Sequence, residues 1–248
     1  MGNTAKIKES FTRSFPTYDR QATAQRIAIK RLSDNIIRNS GKRVESILEI
    51  GCGTGLFTAE LSRRLSCRTL VANDLCEIDK SRLPEGVVFL PGDAEQLPFA
   101  GTYNLIASSS TVQWFRDIPS FLKKIEKNLA EHGTLALSTF GPENLRELRA
   151  ITHQGLSYRS LEEWNGLISA CFDIAVLQEE YIPVYFDSPP ELLRHLRETG
   201  VNGIDVPPLS AGDVLRLCKT YEQRYRTEKG LPLTYHVIYI VAHKKSTK

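Results

Sequence analysis

No stretch of this chain restricts its fold more than Ile47-Leu48-Glu49-Ile50-Gly51-Cys52-Gly53-Thr54-Gly55, where a short apolar run ends in three regularly spaced glycines. The run has the length of a buried strand, and a helical pattern over residues 55–65 follows at once. Glycine there lets the turn adopt positive φ and lets a ligand approach the backbone closely. Apolar runs recur at residues 69–72, 87–90, 104–107 and 134–139, with turn signals such as Pro84-Glu85-Gly86 and Pro91-Gly92 between them. A second helix is predicted over residues 118–130, with Asp117 as N-cap, Pro119 in the first turn and Gly133 beyond its end. Strands alternating with helices imply parallel pairing through right-handed crossovers, hence a doubly wound α/β sheet.

The flanks are less regular. Ala24, Ile27, Ala28, Leu32 and Ile36 predict a helix over residues 22–39, closed by Gly41. Beyond Thr139 the pattern predicts helices at 142–151, 161–170, 191–198 and 211–229, one or two strands at 174–186, and a closing strand at 235–242. Neither a repeat nor a linker divides the chain. We expect one domain with three parts: an N-terminal segment (1–43), a ligand-binding half (44–140) and a substrate-side region (141–248).

Charge and cysteine usage exclude several classes. With 32 Lys and Arg against 29 Asp and Glu, the net charge of +3 lacks the strong basic bias of nucleic-acid binders. Five cysteines without a Cys-x-x-Cys pair, and histidines without ligand spacing, argue against disulfides and a metal site. No run approaches the roughly 18 apolar residues of a membrane helix, and the first ten residues do not read as a signal peptide. The expectation is a cytoplasmic, metal-free monomer with no nucleic-acid or membrane partner.

The glycine loop fits one class of nucleoside ligand better than another. A dinucleotide fingerprint would place its third glycine at position 56, yet Gly55 comes one residue early. Glu49 would repel a pyrophosphate but suits a ligand carrying an ammonium group, as S-adenosyl-L-methionine does. About twenty residues on, Asp74 ends the second strand where a carboxylate can accept ribose hydroxyls. Asp93 follows the third strand, where it could accept from an adenine amino group while the Ala94 amide donates to the ring. Each aspartate could instead be an ordinary turn residue, and Glu95 a surface charge on its loop.

Together, residues 49–55, Asn73-Asp74, Gly92-Asp93-Ala94-Glu95 and the stretch 103–114 resemble class I S-adenosylmethionine-dependent methyltransferases. The resemblance implies a Rossmann-like, mostly parallel seven-stranded sheet with an N-terminal lid helix and inserted helices. It also implies S-adenosyl-L-methionine as cofactor and S-adenosyl-L-homocysteine as product. The implied cofactor set is Gln25, Glu49, Gly51, Cys52, Gly53, Gly55, Asn73, Asp74, Leu75, Asp93, Ala94, Glu95 and Ser108. One departure is Asn104, where the family usually carries an aspartate at the start of its fourth strand.

The resemblance narrows further: residues 11–19 with Ala22 and Gln25, 108–114, 138–141 with Leu145, Glu147 and Leu148, 195–200 and 230–239 look like malonyl-[acyl-carrier protein] O-methyltransferases of biotin synthesis. The implied acceptor is the free carboxylate of a malonyl thioester on acyl carrier protein, or on coenzyme A. A carboxylate is ionised at neutral pH, so no general base is required and none is evident. Alignment and exclusion of water must then carry the rate, worth up to roughly 7–11 kcal/mol in favourable cases.

A closing lid bearing Tyr18, and Trp114 beyond the fourth strand, are the candidate aligning groups. With Phe140, Arg146 and Arg149 they form the candidate substrate set, the arginines as bidentate partners for the carboxylate. Plain aromatic packing and a solvated helix face are the competing readings. Basic clusters at 6–31 and 216–226 would suit an acidic carrier protein, or are ordinary solvated faces. Rival functions are methylation of another small carboxylate or a quinone precursor, cofactor binding without turnover, and, least favoured, a dehydrogenase.

Overall fold

A computed structural model describes residues 4–199 and 210–245; Gly200, which ends one of the segments quoted above, lies outside them. Two helices, α1 (Thr4–Gln21) and α2 (Thr23–Ser40), precede β1 (Ser46–Ile50), α3 (Leu56–Arg64), β2 (Thr69–Asp74) and β3 (Val88–Pro91). Then follow β4 (Tyr103–Ser109), α4 (Ile118–Asn128), β5 (Leu129–Phe140), α5 (Arg146–Thr152) and α6 (Leu161–Cys171). The chain closes with β6 (Phe172–Phe186), α7 (Pro189–Glu198), α8 (Ala211–Tyr225) and β7 (Leu231–Lys244).

The seven strands form one sheet in the order β3-β2-β1-β4-β5-β7-β6. β1 to β5 pair in parallel, while β7 runs antiparallel to both β5 and β6. Order reverses at β1, between β2 and β4, so the carboxyl end of β1 is a topological switch point where such sheets bind ligands. Alternate residues feed two apolar layers. Ile47, Leu105 and Tyr239 pack under α2 and α3, while Leu48, Ile106 and Ile240 pack under α4 and α6. Ala24, Ala28, Leu32 and Ile36 form the buried stripe of α2, whereas Ile27, expected on that stripe, faces outward.

Other boundaries differ from expectation for local reasons. Gly133 does not cap α4: the chain turns directly into β5 at Leu129, and His132 takes the positive φ instead. The helix expected from residue 142 begins at Arg146, because Leu145 is left-handed and Asn144 closes a turn onto the Gly141 carbonyl. α1 was not legible as a helix, since Pro16 lies inside it. Asn104 pins β4 to β1 by accepting from the Ser46 amide and hydroxyl, a structural duty an aspartate could also perform.

Candidate active site

The loop after β1 is positioned chiefly through its own backbone amides. The Gly51 and Cys52 amides donate to the Asn73 carbonyl at 2.8 and 3.0 Å, tying the switch point to β2. Gly51 has φ 73°, and a Cβ added there would lie 2.1 Å from Thr111 Oγ1, so no other residue fits. Gly55 is the left-handed N-cap of α3. The Gly53 and Cys76 amides donate to opposite oxygens of Asp74, both at 2.7 Å. Burial raises the Asp74 pKa, and those amides pull it back. Each carboxylate oxygen keeps a lone pair for a ligand hydroxyl.

The neighbouring loop is braced in the same way. The Asn73 side chain donates to the carbonyls of Leu90 and Gly92, joining the ends of β2 and β3. Asp93 accepts from the Glu95 amide, and Glu95 accepts from the amides of Arg116 and Asp117. Glu95 is therefore a bracing carboxylate rather than a free surface charge.

Above this floor lies a cleft open to solvent at its mouth. Its floor includes Gly51, Cys52, Gly53, Asn73, Asp74, Leu75, Asp93, Ala94 and Glu95. Its roof is one face of α1, where Thr4, Ile7, Phe11, Phe15 and Tyr18 recur at helical spacing, continued by Gln25 and Ile29 of α2. Phe11 meets the Trp114 ring edge-on at 5.4 Å. Asp19 accepts from the Thr54 hydroxyl at 2.5 Å and pairs with Arg82, joining the roof to the glycine loop. Burial, with the charges of Asp19 and Asp74, raises the Tyr18 phenol, which stays protonated. The two cysteines of the lining are also held as thiols, Cys76 pushed up to about 11 by burial and Asp74, so neither is a nucleophile.

Three buried polar atoms of the lining residues have no partner: Gln25 Oε1, Ser110 Oγ and Trp114 Nε1. Ser110 also sits at φ 55°, a conformation costly for a non-glycine residue and concentrated at functional sites. Glu49 lies just behind the lining, fully buried, with both oxygens unpartnered; the Thr58 hydroxyl lies alongside outside hydrogen-bond geometry. Burial pushes its carboxyl up to about 8, the Thr58 hydroxyl opposing and the Asp74 charge assisting.

Six expected site residues lie outside the lining: Glu49 just behind it, Gly55 at the N-cap of α3, and four that stand elsewhere. Ser108 is fully buried and donates to the Ile50 carbonyl at 2.8 Å, so it fastens β4 to β1 and does not line the cleft. Phe140 packs in the core against Tyr158 and Tyr235. Arg146 reaches Glu147 and the Tyr181 ring, and Arg149 reaches the Pro142 carbonyl and the Tyr158 ring. No Lys or Arg lines the cleft among the described residues. Asp19, Arg82, Ser110 and Thr111 were missed. Of these, Asp19 lies in the quoted segment 11–19, and Ser110 and Thr111 in the stretch 103–114, while Arg82 carried no signal.

Comparison with known proteins now bears on the chain. A family described as "Methyltransferase domain" matches residues 23–200. The malonyl-[acyl-carrier protein] O-methyltransferase of Bacteroides thetaiotaomicron is 36% identical over 98% of this chain and 99% of its own length. The chain belongs to the malonyl-[acyl-carrier protein] O-methyltransferase family. A Bacteroides fragilis member is 38% identical over 96% of the chain, which spans 50% of that longer protein. Among solved structures, the N-methyltransferase NodS of Bradyrhizobium japonicum, in complex with S-adenosyl-L-homocysteine, superposes with a TM-score of 0.57. It covers 97% of this chain and 100% of its own at 14% identity, a likeness of fold. No helix among the described residues is long and apolar enough to cross a membrane.

Proposed function

We propose that this methyltransferase transfers a methyl group from S-adenosyl-L-methionine to the free carboxylate of a malonyl group carried on acyl carrier protein, an early step of biotin synthesis. The observation that carries the reading is the near full-length match to relatives bearing that name, including the α1 segment that roofs the cleft. The cofactor fits the residues present. Its ribose hydroxyls could donate to Asp74, the glycine at position 51 keeps the floor open, and Glu49, with two unpartnered oxygens just behind the lining, would attract its ammonium group. When bound it supplies a sulfonium methyl.

The chain's own residues align and exclude. Asp74 and the loop after β3 would hold the nucleoside portion, and Phe11, Phe15 and Trp114, which line the cleft, would exclude water from the reacting groups. Closing the roof removes solvent from an anionic acceptor that needs no base, so the protein contributes orientation and a preorganised polar surface. The absence of Lys and Arg from the described lining suits this reaction. A carboxylate loses its charge as the methyl arrives, so a tight ion pair would stabilise the ground state more than the transition state.

The test is an intact-mass assay with S-adenosyl-L-methionine and malonyl-acyl carrier protein, with malonyl-coenzyme A in parallel. Methylation of the carrier-bound malonyl group, faster than of the coenzyme A thioester, is expected. No product on either, with cofactor binding demonstrated, rejects the acceptor and leaves methylation of a different carboxylate.

A further inference from the structure

The last turn of the roof helix is joined to the sheet through one buried imidazole. Gln21, the final residue of α1, donates from Nε2 to Glu198 Oε2 at 2.7 Å. Its Oε1 can only accept, and it lies 3.2 Å from His195 Nδ1. That geometry places the His195 proton on Nδ1 and leaves Nε2 as acceptor. Nε2 lies 2.7 Å from the Tyr235 hydroxyl, which therefore donates to it. The relay runs in one direction, from Tyr235 on β7, through His195 on α7, to Gln21 on α1. Thr17 adds a second tie, donating to the Glu198 carbonyl at 3.2 Å.

We infer that His195 is a positioning residue for methyl transfer, latching the roof helix to β7 and so setting where Tyr18 enters the cleft. The catalytic part of this inference rests on the function proposed above; the latch itself does not. His195 is 2% exposed and touches no part of the cleft, so it acts through others. Its ring is held against Phe186 at 4.9 Å, which fixes the direction of both nitrogens. Tyr18 and Tyr235 are close enough for the charge of one phenol to oppose ionisation of the other. Burial holds the imidazole down to about 4, against the opposing charges of Glu198 and Glu191, so it is neutral near pH 7. Neutrality matters because an imidazolium would carry hydrogens on both nitrogens, and Tyr235 could no longer donate to it.

A roof that admits ligands must separate from its floor, and hydrogen bonds between side chains are suited to breaking and reforming. An apolar seam would hold the helix without direction, whereas this relay returns it to one register.

The experiment uses two half-mimics of the ring in the full chain. In His195→Asn the amide nitrogen falls where Nδ1 stood, keeping the bond to Gln21 and losing Tyr235. In His195→Gln the longer amide reaches Tyr235 and loses Gln21. Lid docking is read by hydrogen exchange over residues 4–21 and by Trp114 fluorescence, since Phe11 packs on that ring. His195→Gln should exchange faster across α1 and lower kcat about three- to tenfold, the effect of one lost hydrogen bond, with cofactor Kd within about twofold. His195→Asn should stay closer to wild type in α1 exchange. Should either protein fail to fold, Gln21→Leu and Tyr235→Phe address the same two bonds separately. Equal behaviour of the two half-mimics, or a fall in Tm with α1 exchange and kcat unmoved, overturns the latch. If the wild type itself does not methylate the malonyl group, the proposed function fails while α1 exchange still decides the latch.

Discussion

The floor and the roof of the cleft are built by opposite means. Floor residues are held through main-chain amides at the strand ends: Gly51 and Cys52 donate to the Asn73 carbonyl and Gly92 to the Asp74 carbonyl, with the Asp74 carboxylate as the one side chain that gathers two more amides, those of Gly53 and Cys76. The roof is one amphipathic helix, fastened at its ends by side chains, through Thr4 with Arg116, Asp19 with Thr54 and Arg82, and Gln21 with Glu198 and His195. Main-chain ladders persist when single side chains change, whereas such tethers are worth about 0.5–1.5 kcal/mol each. A preformed binding surface thus faces a replaceable cover, the arrangement needed to hold one ligand while admitting another.

That contrast is broken most severely at Gly51. Alanine there places a methyl group into Thr111 at a backbone angle of φ 73°. Cofactor affinity by calorimetry should fall about 100-fold or more, from strain and overpacking together. Wild-type affinity in Gly51→Ala would mean that the floor yields as readily as the roof. Next is Asp74→Ala, which removes the proposed ribose acceptor and strands two amides. A cofactor Kd weakened about 10- to 100-fold is expected, the range for hydrogen bonds to a charged group. An unchanged Kd would place the ribose elsewhere.

At the roof the signature inverts. Tyr18→Phe keeps the ring and removes the hydroxyl of a residue that lines the cleft, so kcat should fall about tenfold with cofactor Kd within about twofold. A parallel loss of affinity would make Tyr18 part of the floor's chemistry instead.

A smaller effect probes the charge beneath the floor. Burial lifts the Glu49 pKa to about 8 from its ordinary 4.5, so the empty protein holds this carboxyl protonated at pH 7. The native state then binds a proton that the unfolded chain has lost. Stability from this group is greatest below pH 4.5 and is lost as pH rises through 8. An ammonium beside Glu49 favours the carboxylate, so cofactor binding at pH 7 should release a proton, and affinity should rise between pH 7 and 8. Calorimetry in two buffers of different ionisation enthalpy measures the release. Glu49→Gln should abolish it, and release that persists in that variant assigns the proton to another group.

The same contrast explains what could be read from the chain. Doubly wound strands and their ligand loops are local in sequence: Gly51, Asp74 and Asp93 each follow an apolar run, and their register needs no long-range information. α1 was harder, because its apolar face is legible only once the cleft exists to receive it, and Pro16 breaks the pattern inside it. Ser108 and Ser110 show the limit more sharply. Two residues apart at one strand end, one locks into the Ile50 carbonyl, and the other turns left-handed with its hydroxyl unpaired. Only strand pairing separates their duties.

Arg146 gives the last and smallest prediction. Its sequence position, just beyond β5, invited the role of carboxylate clamp. The folded chain turns it outward instead: Leu145 is left-handed, α5 starts late, and the guanidinium lies over the Tyr181 ring 5.8 Å away on the outermost strand. It also pairs with Glu147, whose oxygens already accept from the Thr234 amide and hydroxyl. At half exposure, such contacts contribute about 0–1 kcal/mol, and none of them reaches the cleft. Arg146→Ala should therefore change KM for the malonyl substrate less than about twofold and Tm by no more than a few degrees. A KM raised tenfold or more would show that the acceptor carboxylate is bound outside the described lining. An acceptor site without Lys or Arg would then give way to an ion pair.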